Sequence, residues 1–292
     1  MHQKIKILTI VFVVFAASAL QAQKNVFLER SYWKSAPDVI AIQDEIQNGS
    51  DATQLNSNGF DATVYAILEQ APDASIKYLL SLDGNGVNKI THDGRTYIFW
   101  AAYKGNVSLM EYLLSKGAKT NLLDDHGNTI LNFAASTGQK NTKVYDFCLR
   151  EGASLTKDLD HDGANALLLI APYDTDFSLL DYFTNKGLSL KSVDANGNTA
   201  FNYAAKTGNI TNLKALLAKG VTYTDNAMLM AAGGTRSTTN TIELYQYLES
   251  LKINPSATGK NGENALHLIV RKEKQANIIK YFISQSPLPG YL

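Results

Sequence analysis

The chain has 292 residues, 45% of them hydrophobic, which is enough to bury a core and excludes a disordered protein. Lysine plus arginine and aspartate plus glutamate both number 27, so no basic excess points to nucleic acid. The single cysteine, Cys148, excludes an internal disulfide framework and a cysteine-based zinc cluster.

In chain order, Lys4 and Lys6 precede an apolar run from Ile7 to Leu20, and small residues follow as far as Ala22. This basic, apolar and small-residue succession predicts a secretory signal peptide over residues 1–22. Cleavage after Ala22 or after Ala19 both fit, and an uncleaved membrane anchor is the competing reading. The run is shorter than the roughly 20 residues that a spanning helix needs. The expectation is therefore an exported protein, periplasmic or secreted, with no stable membrane insertion once the signal is removed. Residues 23–50 read as an N-terminal capping element. Within them Ser35 to Ile46 predicts a helix with Ser35 as N-cap and an early Pro37.

From residue 51 onward a glycine followed by a polar residue and an Ala-rich apolar stretch recurs. The glycines are Gly59, Gly94, Gly127, Gly163, Gly197 and Gly262. The final interval is about double the others and hides a further unit at Asp225-Asn-Ala-Met-Leu-Met-Ala-Ala232, which lacks the glycine and follows a shortened turn. Each unit then carries a second apolar stretch. In Val107 to Leu114 the apolar positions 107, 109, 110, 113 and 114 form one helical stripe, with Asn106 as N-cap and Gly117 as stop. Two short helices cannot bury their faces alone, so the units must stack. The last helix, near Asn277 to Ile283, is mostly apolar, and Ser284 to Leu292 carries no charge. A poorly capped end of this kind predicts self-association or a longer array.

Units such as Asp194-Ala-Asn-Gly-Asn-Thr-Ala-Phe-Asn-Tyr-Ala-Ala205 with Asn212 to Gly220, and the ending Glu111-Tyr-Leu-Leu-Ser-Lys-Gly-Ala118, resemble the ankyrin repeat. The family's Thr-Pro-Leu-His is nowhere intact, and Asn165, Asn226 and Asn264 stand where it has threonine, a replacement that keeps the capping role. The resemblance implies an all-α ankyrin-repeat solenoid of about seven units over residues 51–292. It also implies a non-enzymatic scaffold that binds a protein partner along its concave face. The positions that correspond to the family's partner contacts are His92, Asp93, Arg95, Tyr103 and Lys104, then Asp125, His126, Asn128, Ser136 and Thr137. His161, Asp162 and Tyr173 follow, then Asn196, Asn198, Lys206 and Thr207.

Other chemistry is thinly supported. No Walker loop or Gly-x-Ser-x-Gly motif occurs, and no cofactor is expected. His92, His126 and His161 sit at separate turns rather than around one ion, Asp124, Asp125, Asp160, Asp162 and Asp194 read as turn residues rather than a calcium site, and His267 is expected to hydrogen-bond a neighbouring turn. Cys148 reads as a core thiol. Two alternatives stay open: an anion or substrate site at the insert 232–240, built on Gly233, Gly234 and Arg236, and an oligomeric assembly through the C-terminal end.

Overall fold

The computed structural model describes residues 25–235, 239–272 and 274–285. The signal-peptide reading of residues 1–22 therefore lies outside the described residues, as do Arg236 and the end of the chain from 286.

The described residues form helix pairs and no extended sheet. The first pair is α1 (Arg30–Lys34) and α2 (Val39–Gln47). Seven further pairs follow: α3 (Ala62–Leu68) with α4 (Asp73–Ser81), α5 (Tyr97–Tyr103) with α6 (Val107–Ser115), and α7 (Ile130–Ser136) with α8 (Thr142–Arg150). Then come α9 (Ala166–Ile170) with α10 (Ser178–Asn185), α11 (Ala200–Ala204) with α12 (Ile210–Ala218), α13 (Asn226–Gly233) with α14 (Ile242–Ser250), and α15 (Ala265–Ile269) with α16 (Ala276–Gln285). First helices stack in one row from α3 through α15, and second helices pair beside them, as α2 on α4, α6 on α8 and α14 on α16. The array is an all-α repeat solenoid.

The first helices are apolar on nearly every side, which is the composition of a helix surrounded by protein. Residues Tyr97 to Ala102, Ile130 to Ala135, Ala166 to Ala171 and Ala200 to Ala205 are all buried. Their starts are capped as the sequence suggests at Thr129, Asn165, Thr199 and Asn264, whose side chains accept an amide hydrogen three residues on. Asn226 departs from this. It is the first residue of α13 and makes no cap, and its side-chain amide reaches Asn196 O at 3.4 Å instead. His267 also departs: it closes a capping box with Asn264 on its own helix rather than bonding a neighbouring turn.

At the N-terminal end Asp38, not Ser35, caps α2, accepting the Ala41 amide at 2.9 Å. Pro37 disfavours helix at the residue before it, and Ala36 accordingly sits at φ 54°, so α2 cannot start before Pro37. Ser35 instead ends α1. Trp33, fully buried, stacks on Phe27 with ring centroids 5.7 Å apart and donates to Phe27 O at 2.8 Å. These two rings lie in the core next to α3.

Before each first helix from α5 to α11 the chain makes a tight hairpin tip, here called a finger. Asp124 shows the design: its Oδ1 accepts the amides of His126 at 3.0 Å and Asn128 at 2.8 Å. Asp160 and Asp194 repeat the same two bonds at the same offsets. Successive fingers are joined by a backbone rung: His92 N to Gly59 O, Asp125 N to Asp93 O, His161 N to His126 O and Ala195 N to Asp162 O, at 2.8–3.2 Å. Gly163 has φ 78°, and an added Cβ there would stand 2.9 Å from the Ala195 amide nitrogen. The repeating glycine therefore serves both the turn and the next finger's approach.

At the far end, Phe282 of α16 packs edge-on against Tyr245 with centroids 5.0 Å apart, while Ile283 and Val270 are about half exposed.

Two outcomes follow from this packing. Ala134 has no exposed surface between stacked helices. Ala134→Asp is expected to destabilise the array by about 3–5 kcal/mol through an unpaired buried charge, measured by urea unfolding. Burial also pushes the Cys148 thiol up to about 12. Alkylation by iodoacetamide at neutral pH is expected to be slow in the native protein and fast in urea; equal rates would contradict the burial.

Candidate functional site

The fingers and the exposed ends of the first helices border one groove. Three of the seventeen positions expected to contact a partner are not available to one. Arg95 is only 7% exposed. Its guanidinium donates to Asp124 Oδ2 from Nε at 3.0 Å and from Nη2 at 2.8 Å, and to Asp93 Oδ2 from Nη1 at 3.0 Å. It also lies over the Phe133 ring at 4.1 Å. Arg95 is thus a clamp between two fingers, and its planar fork suits that role. Asn128 and Asn198 are buried as well, each donating its side-chain amide to the aspartate that starts its own finger, Asp124 and Asp194.

The remaining fourteen form two rows. Along the fingers, Asp125, His126, His161, Asp162 and Asn196 are exposed, and His92 and Asp93 are half-buried. His92 is fixed by Nδ1 against Asn58 O at 2.7 Å and by stacking on Phe60 at 4.4 Å. Burial acts to raise the Asp93 carboxyl, but Arg95 and His92 beside it outweigh burial and hold it below the usual carboxylate range.

Along the helix ends, Tyr103 is exposed, while Lys104, Ser136, Thr137, Tyr173, Lys206 and Thr207 are half-buried. Ser136 and Thr137 spend their hydroxyls on Phe133 O, and Thr207 donates to Ala204 O. Tyr173 is partly a packing residue: a Cβ at Gly138 would stand 2.8 Å from its ring. Burial raises its phenol pKa, with a contribution from Tyr103. Lys206 lies over Tyr203 at 4.6 Å; burial lowers its pKa, and Asp160, Asp162 and Asp194 act in the opposite sense.

The groove is therefore graded. Its first half presents aromatic groups, from Phe60 and His92 through Tyr103 to Tyr173. Its second half presents Asp162, Asn196 and Lys206 over the half-buried Asp160 and the buried Asp194. Phe60 had no signal in the sequence beyond its place after Gly59. Another feature the sequence hides is a buried cluster beneath the first finger. The fully buried Asp61 caps α3 through the Val64 amide, meets Lys89 Nζ at 2.8 Å and accepts from the Tyr97 hydroxyl at 2.7 Å.

Among the described residues, no three His, Cys, Asp or Glu side chains meet as metal ligands, and no helix is long and apolar enough to cross a membrane. Cys148 borders a cavity of about 270 Å³ between α8 and the start of α7. Arg236, on which an anion site at the insert would depend, lies outside the described residues.

Removing Arg95 leaves Asp124 buried with no cation. Arg95→Ala is expected to lower stability by about 3 kcal/mol, with Arg95→Lys recovering only part because a point charge cannot reproduce the two-carboxylate fork. Thermal melting of both variants checks this; an unchanged Tm for Arg95→Ala would mean the clamp contributes nothing.

A family model of ankyrin repeats, three copies long, matches residues 39–124, 64–149 and 99–187, and these overlapping matches span just over half of the chain. The chain is 32% identical over 120 residues to the putative ankyrin repeat protein FPV115 of fowlpox virus, covering 40% of this chain and 20% of that protein. It is 26% identical over 184 residues to the nuclear factor NF-kappa-B p105 subunit of Gallus gallus, covering 62% of this chain and 18% of that one. The matches thus span about a fifth of the length of these relatives. Among solved structures, a chain in the complex of the Bd0816 predatory endopeptidase from Bdellovibrio bacteriovorus with immunity protein Bd3460 aligns at 25% identity and TM-score 0.49, over 65% of this chain and 96% of that one. Ankyrin repeats are generally protein–protein interaction modules and typically not enzymes. The matched model, the recurring finger and the paired helices together place this chain in the ankyrin-repeat family.

Proposed function

We propose that the chain is a non-enzymatic scaffold that holds a protein partner in the groove between its fingers and first helices. The observation that carries this reading is the row of side chains at the ends of α5, α7, α9 and α11. Tyr103 stands at the end of α5, Thr137 at that of α7, Tyr173 at that of α9 and Lys206 at that of α11, with Tyr103 exposed and the other three half-buried. Tyrosine in such a setting offers large contact area at low entropic cost. The aromatic groups at one end and the charged and amide groups at the other suit a partner segment that is apolar at one end and polar at the other. The succession over residues 1–22 supports export, so the partner is expected in the cell envelope or outside the cell. The half-exposed Ile283 and Val270 support a second contact, self-association at the C-terminal end, which light scattering of Ile283→Glu against the parent chain would detect.

The groove reading is tested by placing a photo-crosslinking side chain at position 103 or 173 and, as a control, at Tyr112 on the outer helix α6. Crosslinks to one defined protein are expected from 103 and 173 and not from 112. Tyr103→Ala is expected to weaken that complex by more than about 1 kcal/mol with melting nearly unchanged. Equal crosslinking from the outer helix would overturn the assignment.

A further inference from the structure

One repeat lacks its finger. From Gly187 to Ala200 the chain advances 13 positions, but from Gly220 to Ala227, the equivalent stretch one unit later, only 7. The shortened connection is tied down on α11. Thr199 Oγ1 donates to Thr222 O at 2.6 Å, Asn202 Nδ2 to Thr224 Oγ1 at 2.5 Å, and the Thr224 amide to Asn202 Oδ1 at 3.2 Å. The fingers on either side are fully built. Asp194 N to Asn198 O is matched by Gly259 N to Glu263 O, and the bridge Val193–Thr199 by Thr258–Asn264.

A notch of about 370 Å³ therefore separates these two fingers, lined among others by Asp162, Asn196, Asn226, Met230, Lys260 and Glu263. The backbone rung that joins earlier fingers is interrupted on both sides of it. Asn196 O, which corresponds to Asp162 O in the rung before, meets the Asn226 side chain at 3.4 Å in place of a backbone amide. The Lys260 amide, which corresponds to that of Ala195, has no acceptor among the described residues. Lys260 reaches across with its side chain to Asp162 Oδ1 at 3.3 Å, and both groups are more than half exposed. Of the charged residues that line the notch, two are carboxylates, Asp162 and Glu263, and one is an ammonium group, Lys260, which already lies on Asp162.

We propose that the notch is a second binding site, built to receive a β-turn of a partner polypeptide that carries a basic side chain. The turn takes the position of the missing finger. Its amide donates to Asn196 O, its carbonyl accepts from the Lys260 amide, and its cation replaces Lys260 Nζ on Asp162. A backbone turn fits because a backbone turn occupies this place in the preceding units, so the neighbouring donors and acceptors already point at one. The basic side chain follows from the surplus of carboxylates. Asp162 and Asn196 border both surfaces, but the notch contact does not depend on the aromatic end of the groove.

The test titrates the full chain, labelled with nitrogen-15, with a cyclised peptide bearing the sequence of residues 191–199, whose Lys191 supplies the cation. Saturable shifts are expected at the Lys260 backbone amide and at the Asn196 and Asn226 side-chain amides. Asp162→Asn is expected to weaken binding at least about tenfold, or 1.4 kcal/mol. So is a variant with a six-residue finger, Asp-Ala-Asn-Gly-Asn-Thr, inserted between Thr224 and Asp225, whose Tm should match or exceed that of the parent chain. Tyr103→Ala should bind the peptide as the parent does, which separates failure of this site from failure of the groove. The proposal falls if no saturable shift appears up to roughly 5 mM peptide, a free energy weaker than about −3 kcal/mol. It falls equally if Asp162→Asn or the folded finger-filled variant binds as the parent does, or if a peptide with glutamate in place of the lysine binds as well.

Discussion

The constraint on which everything else depends is that the first helix of each unit is too short and too apolar to exist alone. Helices of five to eight residues are below the length at which a helix is stable in water. Those of this chain are also apolar around most of their circumference, so each needs protein on several sides. Stacking supplies it: each first helix from α3 to α13 lies between two others and against its own second helix. The alanine pairs follow from the same demand, since two helices approach closely only where side chains are small. Once the helices are fixed at this spacing, of the order of 10 Å, the fingers are carried to equal intervals and can hydrogen-bond tip to tip.

Charges buried between units act in another way. Asp61 with Lys89 and Tyr97, and Arg95 with Asp124, each link residues about one repeat apart. A buried ion pair adds little net stability over an apolar pair of the same shape, but a broken one is costly. Such pairs therefore penalise any misstacking by one position more than they reward the right stacking. Their placement in the early units coincides with the aromatic half of the groove, so the surface that presents Tyr103 rests on the most strictly registered part of the array.

Much of this was legible in the sequence, because the demands of stacking recur. Glycine at 59, 94, 127, 163, 197 and 262 marks each finger, and the apolar stretches mark each helix. Even the unit without a glycine was recognisable from Ala231 and Ala232. What the sequence could not give is the direction of a side chain at a variable position. Arg95, Asn128 and Asn198 occupy places where the family's contacts fall, yet they turn inward, because a finger that begins with a buried aspartate needs donors and finds them there. Ser35 has the chemistry of a cap, but Pro37 moves the start of α2 to follow Asp38. Asn226 has that chemistry too, yet the shortened turn leaves it reaching toward the finger behind. The local rule was overruled by a neighbour one unit away at Arg95, by the aspartate of the same finger at Asn128 and Asn198, by a proline two residues on at Ser35, and by the shortened turn at Asn226.

The missing finger changes how the last units are coupled. In a stacked array each interface contributes its own term to stability, and a break in one propagates only to its neighbours. Here the first helices continue without interruption through α11, α13 and α15, so the helical part of the coupling is intact. The finger part is lost and is replaced by side chains: Asn202 holding Thr224, Asn226 on Asn196, and Lys260 on Asp162. The last of these is between exposed groups and contributes little. The end of the chain from α13 onward is therefore tied to the rest mainly by its helices, and the fingers beyond the notch are held more weakly than those before it. A segment bound in the notch would restore the missing rung and join the two blocks, so occupancy of the notch and cohesion of the C-terminal units are thermodynamically linked: whatever fills one strengthens the other.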